Sequence, residues 1–332
     1  MADSWRERDI IRFIQQASKK TYQGLVHGIG DDCAVIDPSA GEQLVVTTDM
    51  LVEDIHFLRD LHPPYELGRK SIAVNISDIA AMGGKPMYVF ISVAIPVSIG
   101  KKWLQQWLSG VESIVSDYDC CLAGGDTVRG KNLTINVTLI GAVRHGQAVL
   151  RSTAGVGDSV FVSGRLGSAA AGLKLYQHFY GSELFAEPFT RPFKKRHLDP
   201  EPDVRCGMFL SECGLITSMQ DISDGIATDL SHMCEASGVR GLVDASLLPY
   251  HPDLPALAAA MSVDMTELLV AGGEDYHLVF TVACGKDNEL YQLAKARNID
   301  IYRIGRITEG SGVFLESKND AIAEITYSGF QH

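Results

Sequence analysis

Val74-Asn75-Ile76-Ser77-Asp78-Ile79-Ala80-Ala81-Met82-Gly83-Gly84 sits at the end of a segment with helical spacing. From Leu67 to Met82, Ile72, Ile76, Ile79 and Ala80 form an apolar stripe, so the segment is predicted to be a helix. Gly83-Gly84 stops it and Pro86 follows. Asp78 lies inside this helix, where aspartate is a poor residue, and Asn75 precedes it by three on the same face. Outward from there, Leu44-Val45-Val46-Thr47-Thr48-Asp49 reads as a strand with its polar residues at the C-terminal end. Pro86 to Pro96 reads as a second strand. Lys101 to Tyr118 reads as an amphipathic helix, and Cys120–Gly124 and Leu133–Val143 as strands. Strands and helices alternate, but not as uniform βαβ units. The expected class is therefore α+β, with an α/β sandwich in each domain rather than a doubly wound sheet.

The chain has 332 residues, enough for two domains of ordinary size. Arg151 to Asp158 is polar and glycine-rich and precedes a new strand, Ser159–Ser163. A boundary is expected near residue 147, with domains 1–146 and 147–332. The second half is predicted to hold strands near Gly241–Val243, His277–Val282 and Ile301–Ile307, with helices around Asp224–Ser237 and Asp287–Arg297. Gly181 to His197 reads as a surface excursion, and Arg8 to Lys20 as a short amphipathic helix.

A net charge of −12 argues against nucleic acid or an anionic membrane as partner. It also means that polyphosphates are repelled unless cations intervene. Seven cysteines without a Cys-x-x-Cys pair read as free thiols in a reducing compartment. Met1 to Arg12 lacks the apolar core of a signal peptide, and Tyr88–Val97 is too short to span a bilayer. A cytoplasmic protein is expected.

Six short stretches place carboxylates beside glycine or hydroxyl residues. They are Gly28–Asp32, Thr47-Thr48-Asp49, Asn75–Asp78, Gly124–Thr127, Asp221–Gly225 and Gly272–Asp275. Each supplies hard oxygen ligands of the kind Mg²⁺ takes alongside water and phosphate. Such ions commonly hold the phosphates in transfer enzymes, so phosphoryl transfer is the leading reading. Ser223, between Asp221 and Asp224, is expected to cap a helix. No Walker loop, kinase His-Arg-Asp loop or nucleophile elbow occurs. No histidine pair has helical metal spacing, which disfavours zinc. Gly164-Arg165-Leu166-Gly167-Ser168, after a strand, could cradle an anion at a helix start, but it matches no dinucleotide fingerprint fully and helix–strand packing is the favoured explanation.

Taken in order, Gly-Ile-Gly-Asp-Asp-Cys-Ala, Thr-Thr-Asp-x-Leu-Val-x-x-x-His-Phe, Val-Asn-x-Ser-Asp-x-Ala-Ala-Met-Gly, Gly-Gly-Asp-Thr, Ser-Asp-Gly and Gly-Gly-Glu-Asp-Tyr resemble the thiamine-monophosphate kinase family. That family lies within the ATP-binding superfamily of aminoimidazole ribonucleotide synthetase, and the resemblance runs from about Gly28 to Phe330. It implies synthetase-like N- and C-terminal domains and transfer of the ATP γ-phosphoryl group to thiamine monophosphate, giving thiamine diphosphate and ADP. The first domain is expected to bind ATP and Mg²⁺ and to dimerise, the second to complete the nucleotide and substrate site. By resemblance, Asp32, Thr47, Thr48, Asp49, Asp78, Asp126, Asp221 and Asp224 match metal positions, with several Mg²⁺ ions implied. Tyr118, Gly125, Arg151 and Ser223 match positions near ATP, and His56, Glu274 and Phe330 substrate-side positions. Phe330 stands where the family often has Tyr, which keeps the ring and removes the hydroxyl. A homodimer is implied in the same way.

Such a reaction asks for no general base and no covalent nucleophile. The acceptor phosphate has a second pKa of about 6 and is already largely a dianion at neutral pH. The obstacle is bringing two anions together, which metal ions and Arg151 could relieve while aligning them for in-line attack.

Overall fold

The computed structural model describes residues 24–27, 35–36, 39–317 and 322–325. Asp31, Asp32, Phe330 and the predicted helix at Arg8–Lys20 lie outside the described residues. Contacts divide the chain into two units. One takes the described residues up to Ile79 together with Gly84–Gly146, and the other takes Ala80–Gly83 together with those from Gln147 onward.

In the first unit β1 (Leu25–His27) pairs antiparallel with β2 (Val35–Ile36). A four-stranded sheet follows from β3 (Glu42–Val52), β4 (Lys85–Ile95), β5 (Cys121–Arg129) and β6 (Thr134–Arg144), in the order β3-β6-β4-β5. Only β4 and β5 run parallel. Side chains alternate across a strand, and the sequence sorts apolar residues accordingly. Val89, Ile91 and Val93 of β4 and Ile135, Val137 and Leu139 of β6 are buried, whereas Leu44, Val46 and Met50 of β3 are exposed.

The helices of this unit are α1 (Pro64–Ala81) and α2 (Lys101–Asp117). Ile72, Ile76 and Ile79 of α1 and Leu104, Leu108, Val111 and Ile114 of α2 are buried, each contributing about 1.5–3 kcal/mol of apolar transfer. The two helices touch backbone to backbone. A Cβ on Gly68 would lie 2.1 Å from Trp107 O, and one on Gly110 would lie 1.9 Å from Tyr65 O. A Cβ on Gly141 of β6 would come within 2.6 Å of Ile79 Cγ2, which places the end of α1 on the sheet.

The second unit holds β7 (Ser159–Val162), α3 (Ser168–His178), α4 (Glu183–Ala186), α5 (Arg191–Leu198), α6 (Val204–Cys213), β8 (Ile216–Asp221), α7 (Ile226–Ser237), β9 (Arg240–Asp244), α8 (Leu254–Met261), α9 (Met265–Val270), β10 (Leu278–Val282), α10 (Asp287–Ala296), β11 (Tyr302–Thr308), β12 (Val313–Glu316) and β13 (Ile322–Glu324). Its seven-stranded sheet has the order β13-β12-β9-β11-β7-β10-β8, antiparallel except between β9 and β12. β7 and β10 are buried along their whole length, as expected of strands covered on both faces. Val160, Val162 and Val279 point into a core with Leu175 of α3 and Leu230 of α7. Phe161 and Phe280 point the other way, stacked at 5.7 Å, into a core with Phe209 of α6 and Leu290 of α10.

Three local expectations are corrected. The strands carrying Asp49 and Asp126 do not end there. Both acids lie inside β3 and β5, because backbone pairing continues past polar side chains. Gly181–His197 is not a surface excursion: it forms α4, a 3₁₀ turn at Pro188–Thr190, and α5. Phe193 is fully buried, and a Cβ on Gly172 of α3 would lie 2.2 Å from its carbonyl oxygen. Two prolines and the basic run Lys194–Arg196 hide this narrow apolar face from periodicity. Finally, Ser223 does not cap α7, whose N-cap is Gly225 at φ 110°.

Candidate active site

In the first unit, Asp78 is half-buried on α1 among the buried residues Asn75, Ser77 and Ile79. Thr47 of β3 donates its hydroxyl to Asp78 Oδ2 at 2.5 Å, tying strand to helix. Asp49, two residues beyond Thr47, shares its face of the strand. Asn75 Nδ2 reaches Ser71 O at 3.4 Å, while its buried Oδ1 has no partner among the described residues. Thr48 projects from the opposite face, where its hydroxyl donates to Val137 O at 3.1 Å and lies 3.1 Å from Thr138 Oγ1. Asp126 is exposed, opposite Ser92 in the ladder, and its Oδ1 accepts the Thr127 N–H at 2.8 Å. Asp49 sits one row away, opposite Val137 and in line with Ile91 and Gly125. Adjacent rows project to opposite faces, so the Asp126 side chain leaves the sheet on the face opposite to Thr47 and Asp49.

Gly125 has a backbone reason to be glycine: a Cβ there would lie 1.9 Å from Ile91 O. His56 accepts the Val52 N–H on Nδ1 at 3.0 Å, so its neutral ring carries the proton on Nε2. Tyr118 follows α2, its N–H bonded to Ile114 O at 3.1 Å.

In the second unit two motifs 50 residues apart in sequence meet. The Glu274 N–H donates to Ser223 O at 2.7 Å, the Tyr276 N–H to Ile222 O at 2.9 Å, and the Ile222 N–H to His277 O at 2.7 Å. A Cβ on Gly273 would lie 2.5 Å from Ser223 O, which accounts for that glycine. Asp221 is buried at the end of β8 and Asp224 is half-buried. Asp229, on the first turn of α7, accepts the Asp224 and Gly225 N–H groups at 3.0 Å each and Gln220 Nε2 at 3.0 Å. Burial, then the charges of Asp221 and Asp224, push its carboxyl well above the ordinary range. The sequence reading missed Asp229, although an acid at the start of an apolar helix is a signal it could have used. Arg151 lies exposed in a turn, with Ser237 Oγ donating to its carbonyl at 3.2 Å.

The N–H groups at Gly167 do cradle an anion, and that anion is internal. Asp275, fully buried, accepts the Gly167 N–H at 2.6 Å and the Ala169 N–H at 3.1 Å at the start of α3. Glu274 Oε2 lies 2.8 Å from Nδ1 of the buried His197. His277 Nδ1 lies 2.7 Å from Asp203 Oδ2, to which Ser163 also donates. His197, Asp203 and His277 carry no local signal in sequence, because each is defined by a partner on another element.

Two family models match: AIR synthase related protein, N-terminal domain, over residues 30–143, and its C-terminal domain over residues 155–318. A thiamine-monophosphate kinase from Bacillus subtilis (strain 168) is 37% identical over 309 residues, covering 92% of this chain and 93% of that protein. The chain belongs to the thiamine-monophosphate kinase family. Among solved structures, the thiamine-monophosphate kinase from Stenotrophomonas maltophilia K279a superposes with a TM-score of 0.80 at 35% identity, over 93% of this chain and 95% of that one. A structure described as AaThiL complexed with AMPPCP and TMP gives 0.78 at 29% identity, with 100% of both chains covered. Membership in the thiamine-monophosphate kinase family makes this chain an enzyme, and the two family models account for its two α+β domains.

Magnesium is the metal that the family resemblance implies. Among the described residues, no three His, Cys, Asp or Glu side chains gather into a cage. The donor set nevertheless fits Mg²⁺, which commonly takes one or two carboxylates and fills its octahedron with water and phosphate oxygens. Thr47 and Asp78 supply such oxygens in one unit, and Asp221 and Asp224 in the other. No described helix is long and apolar enough to cross a membrane.

Proposed function

We propose that the protein transfers the γ-phosphoryl group of ATP directly to the phosphate of thiamine monophosphate, releasing thiamine diphosphate and ADP. The observation that carries this reading is the docking of the Asp221–Gly225 loop on the Gly273–Tyr276 loop. It sets the residues assigned to metal and nucleotide, Asp221, Ser223 and Asp224, against Glu274, assigned to the acceptor. Likeness over the full chain to a structure holding AMPPCP and TMP supports the same assignment.

In this reading Asp32, Thr47, Thr48, Asp49, Asp78, Asp126, Asp221 and Asp224 hold several Mg²⁺ ions. The Thr47–Asp78 hydrogen bond supports the core of that set, and the placement of Thr48 and Asp126 on the other sheet face supports their membership least. Bound Mg²⁺ would neutralise phosphate charge and align the reacting groups. Tyr118, Gly125, Arg151 and Ser223 contact ATP, with the Arg151 guanidinium opposing anionic charge. His56, Glu274 and Phe330 contact the acceptor. With Nδ1 accepting from Val52 N–H, the donor that His56 would offer a phosphate oxygen is Nε2–H. No side chain acts as base or nucleophile, because the acceptor phosphate is already ionised. The enzyme acts in the cytoplasm, at the last step of thiamine diphosphate formation. It works as a homodimer joined through the open face of the first-unit sheet, where Leu44, Val46, Met50 and Val128 are exposed.

The test is to incubate the protein with ATP, Mg²⁺ and thiamine monophosphate and to assay for thiamine diphosphate and ADP. Stoichiometric formation of both is expected. ATP hydrolysis without thiamine diphosphate, or ATP binding without turnover, overturns the reading.

A further inference from the structure

Glu274 is held unusually firmly for an acid at a loop. Its backbone has φ 67°, a left-handed conformation that L residues other than glycine adopt rarely, and Tyr276 follows at φ 49°. The 2.7 Å bond from its N–H to Ser223 O fixes the peptide. The carboxylate is fixed separately, by a ring nitrogen of His197 2.8 Å from Oε2. A carboxylate only accepts, so His197 Nδ1–H is the donor. The histidine is itself immobilised. It is 7% exposed, a Cβ on Gly172 of α3 would stand 2.9 Å from its Cβ, and the Tyr176 ring lies 5.9 Å away. The preceding residue, Arg196, donates to Asp275 O and lies 2.8 Å from His277 Nε2. The end of α5 thus holds both the backbone and the carboxylate of the Glu274 segment. The Glu274 side chain remains 26% exposed, so a ligand can reach it.

We infer that His197 is a positioning residue: it holds the Glu274 carboxylate in place to receive the cationic thiazolium end of the acceptor. The inference rests on the proposed function, which supplies the acceptor. A carboxylate fixed before binding loses little freedom when the cation arrives, so the contact favours affinity for the acceptor rather than turnover. His197 touches neither ATP nor the reacting phosphates in this assignment.

The test compares His197→Phe, His197→Asn and Glu274→Gln in steady-state assays with each substrate varied, alongside thermal melting. His197→Phe keeps a ring and removes the donor, and should raise KM for thiamine monophosphate about tenfold, the size of one charge-assisted hydrogen bond. KM for ATP and kcat should stay within about twofold. His197→Asn, which restores a donor, should recover most of the loss. Adding His197→Phe to Glu274→Gln should change KM little further, because the two act as one unit. An unchanged KM for thiamine monophosphate, equal losses for both substrates, or full additivity in the double variant overturns the inference. If His197→Phe does not fold, Glu274→Gln still decides, since an unchanged KM there removes the contact that His197 is said to position. Wild-type protein that makes no thiamine diphosphate overturns the parent reading, whereas active wild type with an indifferent His197 overturns this inference alone.

Discussion

At the scale of single residues, Asp78 and Asp203 separate a chemical role from a structural one. Asp78 is half-buried with one oxygen held by Thr47, so replacing it by Asn keeps the shape and removes a charge. Asp78→Asn is expected to lower kcat at least about 100-fold, as loss of a preorganised electrostatic contact does, with melting temperature shifted by only a few degrees. Near-wild-type turnover at saturating Mg²⁺ removes Asp78 from the metal set. Asp203 has a different pattern. Burial alone would raise its carboxyl, but His277, Ser163 and Arg196 outweigh it and hold the carboxyl below its ordinary value. A carboxyl lowered in the native state binds fewer protons there than in the unfolded chain. Its stabilisation is therefore complete above an unfolded pKa near 3.8 and is lost as pH falls through the lower native value. Asp203→Asn should cost about 1–3 kcal/mol near neutrality and flatten the acid limb of a melting-temperature profile. A profile unchanged in shape contradicts the lowered carboxyl.

At the scale of elements, the crossing of α1 and α2 is the most exacting contact in the first unit. Alanine is worth about 1 kcal/mol more than glycine inside a helix, and that gain would favour Gly110→Ala. The new Cβ, however, would lie 1.9 Å from Tyr65 O, and overpacking of this kind costs about 1–3 kcal/mol. Because the obstacle is backbone, the cost is expected to win, lowering the urea midpoint. A raised midpoint would show that the helices slide apart freely. The long elements were legible in sequence because their apolar residues recur at 3.6 or 2 residue periods over many turns: Leu67–Met82 became α1 at Pro64–Ala81, and Lys101–Tyr118 became α2 at Lys101–Asp117. α5 was not legible, since eight residues with three consecutive basic side chains leave too short a stripe, and its Phe193 is recognised as core only against α3. The start of α3 offers free N–H groups that could cradle an anion, although packing of helix on strand is the favoured sequence reading. Its anion is Asp275, more than 100 residues away, which no local pattern announces.

At the scale of the whole molecule, the open sheet face is where assembly is predicted. Leu44, Val46, Met50 and Val128 are 43%, 63%, 53% and 52% exposed, an apolar surface that soluble monomers seldom leave uncovered. Sedimentation should give about twice the 36.1 kDa chain mass, and Val46→Glu combined with Met50→Glu should give the single-chain value. A wild-type monomer at micromolar concentration excludes this interface. The sequence by itself determined the family and the fold class. The ordered acidic motifs are local strings, and local strings survive reading one residue at a time. The alternating periods of strand and helix are equally local. Only the tertiary structure decided which groups each acid meets. It joined Thr47 to Asp78 and set Asp126 on the other face of the sheet. It also laid Glu274 against Ser223 and gave the Gly167 cradle to Asp275. The physical reason is that hydrogen bonds and buried charges are satisfied by whichever group the fold brings within about 3 Å, and sequence distance does not limit that choice.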